Sequence, residues 1–221
     1  MGLLARCFNR PVRCVVIQKV AESIDLPSME NLVRIALLCL LTAVSSTAAA
    51  DELTDRSNQA RAIAGQLVSQ LGAALKAELS AGGPVSAIGV CKQTAPELAG
   101  KLSRDNGMRD ARVSLRVRNP LLGQPDAWEQ DALAGFDRAA AAGDKSATIE
   151  KAEIVNEPQG RYLRYIKAIP VQPLCLSCHG APEALSAEVR ERLTTDYPHD
   201  RATGYRVGDI RGGVTIKQRL P

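Results

Sequence analysis

Apolar and polar positions divide this chain into segments of different period. Residues 29–50 hold an unbroken apolar run, Ile35 to Val44, behind Arg34, and then small residues ending Ala48-Ala49-Ala50. From Asp51, Ala60, Ile63, Leu67, Leu71 and Ala74 recur three or four residues apart, which predicts an amphipathic helix. Gly82-Gly83-Pro84 stops it. A second helical stretch after Pro84 carries Ile88 and Cys91 on one side, and Pro96 suits the first turn of a short helix over 97–104 ending at Asn106-Gly107.

The period then changes to two. Val113, Leu115 and Val117 alternate with Ser114, Arg116 and Arg118, which predicts a half-buried strand with both arginines facing outward. Asn119-Pro120 and Gly123-Gln124-Pro125 read as a loop, and Trp128, Ala132, Phe136 and Ala139 as a helix through about residue 142. Two strands, 147–156 and 161–169, join at the hairpin Glu157-Pro158-Gln159-Gly160; a last strand covers 210–218, where Gly212-Gly213 marks a bulge or a close backbone approach. Helices first and an interrupted antiparallel sheet afterwards predict an α+β domain with one sheet face open to hold something.

The early apolar run has a different meaning. Its length falls short of the ~20 residues of a membrane span, and its small-residue end matches a secretory signal with an A-x-A cleavage site. The expected organisation is therefore an upstream extension over 1–28 belonging to a mis-assigned start, a signal peptide over 29–50 beginning at Met29, and one exported, periplasmic domain over 51–221. The competing reading of 1–28 is a long n-region of the same signal. Beyond the signal, 23 Lys and Arg face 21 Asp and Glu without a basic block. Such an even balance, with few aromatics, argues against nucleic acid as a partner.

Cysteine usage narrows the chemistry. Cys7, Cys14 and Cys39 precede the cleavage site, so Cys91, Cys175 and Cys178 remain, an odd number for an oxidising compartment. Cys175-Leu176-Ser177-Cys178-His179 is the C-x-x-C-H pattern of covalent c-type haem attachment: the spacing lets two thiols form thioethers with one porphyrin, and the adjoining histidine reaches the iron. Three rivals use the same residues. A Cys175–Cys178 disulfide would leave His179 a bystander, a thioredoxin-like pair would want a βαβ context, and a zinc site would need a second ligand pair that the sequence lacks. For the other axial position the candidates are Cys91, Met108, His199 and, before signal removal, Met29. The two propionates of a haem need donors, and Arg116 and Arg118 are candidates because guanidinium groups suit carboxylates.

Several stretches together carry a resemblance: Ala87-Ile88-Gly89-Val90-Cys91-Lys92 with Ala95-Pro96, Ser114 to Pro120, Pro125-Asp126-Ala127-Trp128-Glu129, Cys175 to Gly180, and Gly208 to Gly213. The chain resembles a bacterial family long carried as a domain of unknown function, whose members are exported single-haem c-type domains with a PAS-like fold, found alone or as the sensor part of signalling proteins. The resemblance implies one covalently attached haem c, with His179 and Cys91 as the iron's axial ligands. One departure stands out. Four residues, Leu121-Leu122-Gly123-Gln124, separate Asn119-Pro120 from Pro125-Asp126, where the family's pattern has three.

The function expected on this basis is redox or gas sensing, with CO or NO as possible ligands, or low-potential electron transfer to a redox or signalling partner protein whose identity the residues leave open. The alternative is a haem-free periplasmic module that binds a small ligand and is stapled by a Cys175–Cys178 disulfide. An enzyme is not expected, since no Ser/His/Asp set is evident and a six-coordinate iron has no vacant site.

Overall fold

The computed structural model describes the backbone of residues 29–144 and 149–221, and the side chains of 51–144 and 149–221. The expected upstream extension lies outside the described residues, as do the side chains of the expected signal segment. The chain forms two units, Met1–Ala49 and Ala50–Pro221. The second contains the sheet and the C-x-x-C-H motif.

Helix α1 is assigned Met29–Gly89 and breaks at Gly83, whose left-handed φ of 72° turns the chain before Pro84. Glycine and proline at this point do what the sequence predicts. A π-helical turn, Val90–Thr94, leads into α2, Ala95–Asn106, and strand β1 follows over Arg109–Val113. A single turn α3, Pro120–Gly123, starts at Asn119, whose side chain accepts from the Leu121 amide, and α4, Ala127–Ala141, starts with an Asp126/Glu129 capping box. The hairpin β2, Glu150–Glu157, and β3, Gly160–Pro170, turns where expected. After it come the motif helix α5, Leu176–His179, helix α6, Ala187–Asp196, and β4, Ile210–Arg219.

The four strands form one antiparallel sheet in the order β1-β4-β3-β2, so the last strand lies in the middle beside the first. An α+β domain with N-terminal helices and an antiparallel sheet is thus what the chain builds. Both faces of the sheet are covered, contrary to the expectation of an open one. Ala60, Ile63, Ala64 and Leu67 of α1 and Leu102 of α2 pack on Leu163, Tyr165, Val214 and Ile216. Ala132, Leu133 and Phe136 of α4 pack on the opposite face, against Val113, Ile166 and Ala168. The room for a ligand is at one end of the α1 face, beyond Leu67.

A second correction concerns the strand expected over 113–118. The strand ends at Val113, and the next residues bend away from the sheet. Ser114 is responsible: its hydroxyl takes the Arg116 amide and donates to the Arg211 carbonyl, a local bond that competes with the strand ladder. Gly212 lets this happen, because a Cβ there would lie 2.3 Å from the Val113 carbonyl oxygen. As a result Arg118 is buried and not outward-facing, and only Arg116 is exposed.

Candidate functional site

Cys175 ends a short 3₁₀ turn, Pro173–Cys175, and α5 continues through Cys178 to His179. Gly180 stops the helix. A side chain at that position would place its Cβ 2.6 Å from the Leu176 carbonyl oxygen, so the residue after the histidine has no room for one. The loop over 201–205 clamps the motif through its backbone: the Tyr205 amide donates to the His179 carbonyl at 2.9 Å and the Gly204 amide to the Gly180 carbonyl at 2.7 Å.

His179 Nδ1 lies 2.6 Å from the Ala202 carbonyl oxygen. A carbonyl only accepts, so Nδ1 carries the proton and Nε2 the lone pair. Burial holds the imidazole's pKa well below its ordinary value, and the neighbouring Arg211 and Arg118 add to this, outweighing the Ala202 carbonyl. A neutral ring with its lone pair on Nε2 is the form that ligates a metal. Burial also pushes the Cys178 thiol up.

Cys91, Cys175, Cys178 and His179 line one cleft of about 1080 Å³, just above the range of ~300–1,000 Å³ for small-molecule sites. Its walls include Leu67, Leu71, Ile88, Val113, Ile169 and Val214. All three thiols are free, and no disulfide joins Cys175 to Cys178. A thiol just ahead of the motif helix and another within it, an imidazole fixed in its ligating tautomer, a third thiol in the same cleft and largely apolar walls are a donor set that fits a tetrapyrrole.

The remaining candidates divide. Arg118 lines the cleft, but its guanidinium is engaged: Nε pairs with Asp200 at 3.0 Å, and one terminal nitrogen donates to the Cys178 carbonyl at 2.6 Å and the Ala202 carbonyl at 3.3 Å. Arg116 lies apart. It stacks 3.5 Å from the Tyr205 ring centroid, donates to the Thr203 carbonyl, and lines a separate cleft of about 690 Å³. Met108 is buried in the α1-side core, and His199 is exposed; neither lines the cleft.

Sequence reasoning missed four cleft-wall or cleft-supporting groups. The Ala202 carbonyl has no sequence signal at all. Arg211 sits in the Gly208 to Gly213 stretch and reaches His179 Nε2 at 3.3 Å and Ser114 Oγ at 2.9 Å; burial lowers its pKa, and Arg118 and Arg112 lower it further. Arg112 and Asp110 lie two apart on β1, hence on the same sheet face, and both line the cleft. Asp110 is 5% exposed, with no partner for either carboxyl oxygen, and burial raises its pKa to about 7.

The Tll0287-like family model matches residues 30–219 of the chain. Among solved structures, the chain is similar to the one titled as the crystal structure of the cyanobacterial heme-protein Tll0287: 26% of residues are identical, 76% of this chain and 96% of that one are covered, and the TM-score is 0.56. No curated protein matches.

Proposed function

The chain belongs to the Tll0287-like family, and from that premise we propose that it is a periplasmic c-type haem protein acting in low-potential electron transfer or in redox or gas sensing. The observation that carries this reading is the single cleft shared by Cys91, Cys175, Cys178 and His179. Similarity to a heme-protein supports it. In this reading Cys175 and Cys178 would hold the haem through their sulfurs, and His179 Nε2 and Cys91 Sγ would hold its iron.

When bound, the haem supplies an iron centre that gains and loses one electron. The protein sets the terms of that exchange. The Ala202 carbonyl keeps the proton on Nδ1, so Nε2 is always the donor atom, and such a second partner also raises its basicity. Leu67, Ile88 and Val214 make the cleft apolar and restrict water. A sulfur donor from Cys91 would favour the more highly charged iron and so a low potential. In a sensor Cys91 would have to give way to a diatomic gas such as CO or NO, whereas in a carrier it would stay in place. In this reading the protein would exchange electrons or report a ligand and turn over no substrate. Among the described residues no helix is long and apolar enough to cross a membrane.

The test is production with c-type maturation machinery and export. The mature protein is expected to begin near Asp51, to keep its colour through acid–acetone extraction, and to carry one haem by mass. A colourless protein of apo mass overturns the reading.

A further inference from the structure

We infer that Arg112 and Arg211 form the seat for the two carboxylates on the acidic edge of the bound tetrapyrrole, a role the sequence alone assigned to Arg116 and Arg118. This rests on the proposed haem function and specifies how the cleft orients its ligand. Three guanidinium groups, from Arg112, Arg118 and Arg211, stand on the cleft wall that includes His179. One has a carboxylate partner: Arg118 pairs with Asp200, and both of these side chains are about nine-tenths buried.

The other two have none. Arg112 is half-buried and makes no side-chain hydrogen bond or ion pair among the described residues, even with Asp110 two positions away. Arg211 spends its donors on Ser114 Oγ, the Arg116 carbonyl and His179 Nε2. Cations in a partly apolar cleft without counter-charge are costly, and an anionic ligand relieves that cost. A dicarboxylate supplies two negative charges for two unpaired guanidiniums.

Ligation adds a second argument. Nε2 has a single lone pair, so it cannot both accept from Arg211 and bind a metal. A metal held at Nε2 would displace the Arg211 Nε–H from that atom and leave the guanidinium in need of another acceptor, for which a carboxylate is suited. Arg112 lies on β1 opposite Val214, and Arg211 is the extra residue of a bulge in the neighbouring β4, between Ile210, which pairs with Pro170, and Gly212, which pairs with Ile169; both side chains line the same cleft. Arg116 cannot share the task from its place over Tyr205.

Equilibrium binding of zinc protoporphyrin IX and of its dimethyl ester to the full chain, produced without haem maturation and kept reduced, tests this directly. The ester has the same ring and metal but no carboxylates. The parent protein is expected to bind the diacid about tenfold or more tighter than the ester, the scale of one charge-assisted contact. Arg112→Gln should bring that ratio towards one; Arg211→Gln should lower the ratio as well, although by freeing His179 Nε2 it also shifts the affinity for both porphyrins alike, and Arg116→Gln should leave the ratio intact. Arg112→Gln decides the matter if Arg211→Gln disturbs folding, because Arg112 holds nothing else in place. A ratio unchanged in Arg112→Gln, or a parallel loss of both ligands, overturns the proposal. If the parent binds both porphyrins equally, the carboxylate seat falls and the haem reading stands. If it binds neither, both fall.

Discussion

Cys91 stands in a π-helical turn between two α-helical stretches, a local widening that often accompanies functional residues, and its thiol is half-buried on the cleft wall. In the haem-loaded protein, Cys91→Ala is expected to abolish the weak sulfur-to-iron charge-transfer band and raise the midpoint potential, with both thioethers retained. Absorption spectra and a potentiometric titration check this; a parental ferric spectrum removes Cys91 as the ligand. Asp110 makes a prediction that needs no haem. Its carboxyl ionises near 3.8 in an unfolded chain and near 7 in the native one, where burial disfavours the charge. Between those values the native state keeps a proton that the unfolded chain has released, so this group's contribution to stability falls as pH rises from about 4 to 7 and stays lost above. Asp110→Asn should therefore raise the unfolding free energy at pH 8 by a few kcal/mol, at about 1.4 kcal/mol per pKa unit, and flatten the pH dependence over that window. Urea titrations at pH 5 and pH 8 measure it; an equal effect at both would exclude the buried ionisation as the cause.

At the level of elements, the attachment of α4 to the sheet is polar as well as apolar. Glu129 is fully buried and accepts from Thr215 Oγ1 at 2.9 Å and from Arg109 at 3.1 Å, with Arg164 at 3.4 Å. Arg164, 3% exposed, also pairs with Asp126 at 2.7 Å and with Glu157 at 3.2 Å, so it joins the start of α4 to the β2–β3 hairpin. Removing one member of a buried ionic network leaves the rest uncompensated. Arg164→Met is expected to cost roughly 3–5 kcal/mol of unfolding free energy, measured by denaturant titration. A loss below about 1 kcal/mol would mean that Arg109 and Thr215 suffice for Glu129. This network was not visible as a pattern, since Arg164 sits in a strand whose alternation reads only as apolar and polar. The hairpin itself was legible, because Glu157-Pro158-Gln159-Gly160 is turn chemistry between two runs of strand formers. The strand over 113–118 was misread because alternation at Val113, Leu115 and Val117 reports burial and not backbone: Val117 is buried and Leu115 partly exposed within a bend tied by Ser114.

Across the whole molecule, the local signals and the long-range ones separate cleanly. Helix breaks at Gly83-Pro84 and Gly107, the capping residues Asn119 and Asp126, and the Cys175-x-x-Cys178-His179 spacing are properties of a few adjacent residues, and local sterics or covalent reach decides them wherever the segment ends up. The sequence by itself therefore determined the α+β class, most element positions and the pairing of two thiols with one imidazole. It also placed Cys91 on an apolar helical side. Only the tertiary structure decided that α1 and α4 cover both faces of the sheet, and that Cys91 and the motif, more than 80 positions apart in the chain, line one cleft. The same holds for the Ala202 carbonyl at His179, for the withdrawal of Arg118 into an ion pair with Asp200, and for the arrival of Arg112 and Arg211 on the cleft wall. These depend on strand order β1-β4-β3-β2, which brings the C-terminal strand beside the first. Such closures are chosen by the summed burial of residues distant in sequence, and no local period records them.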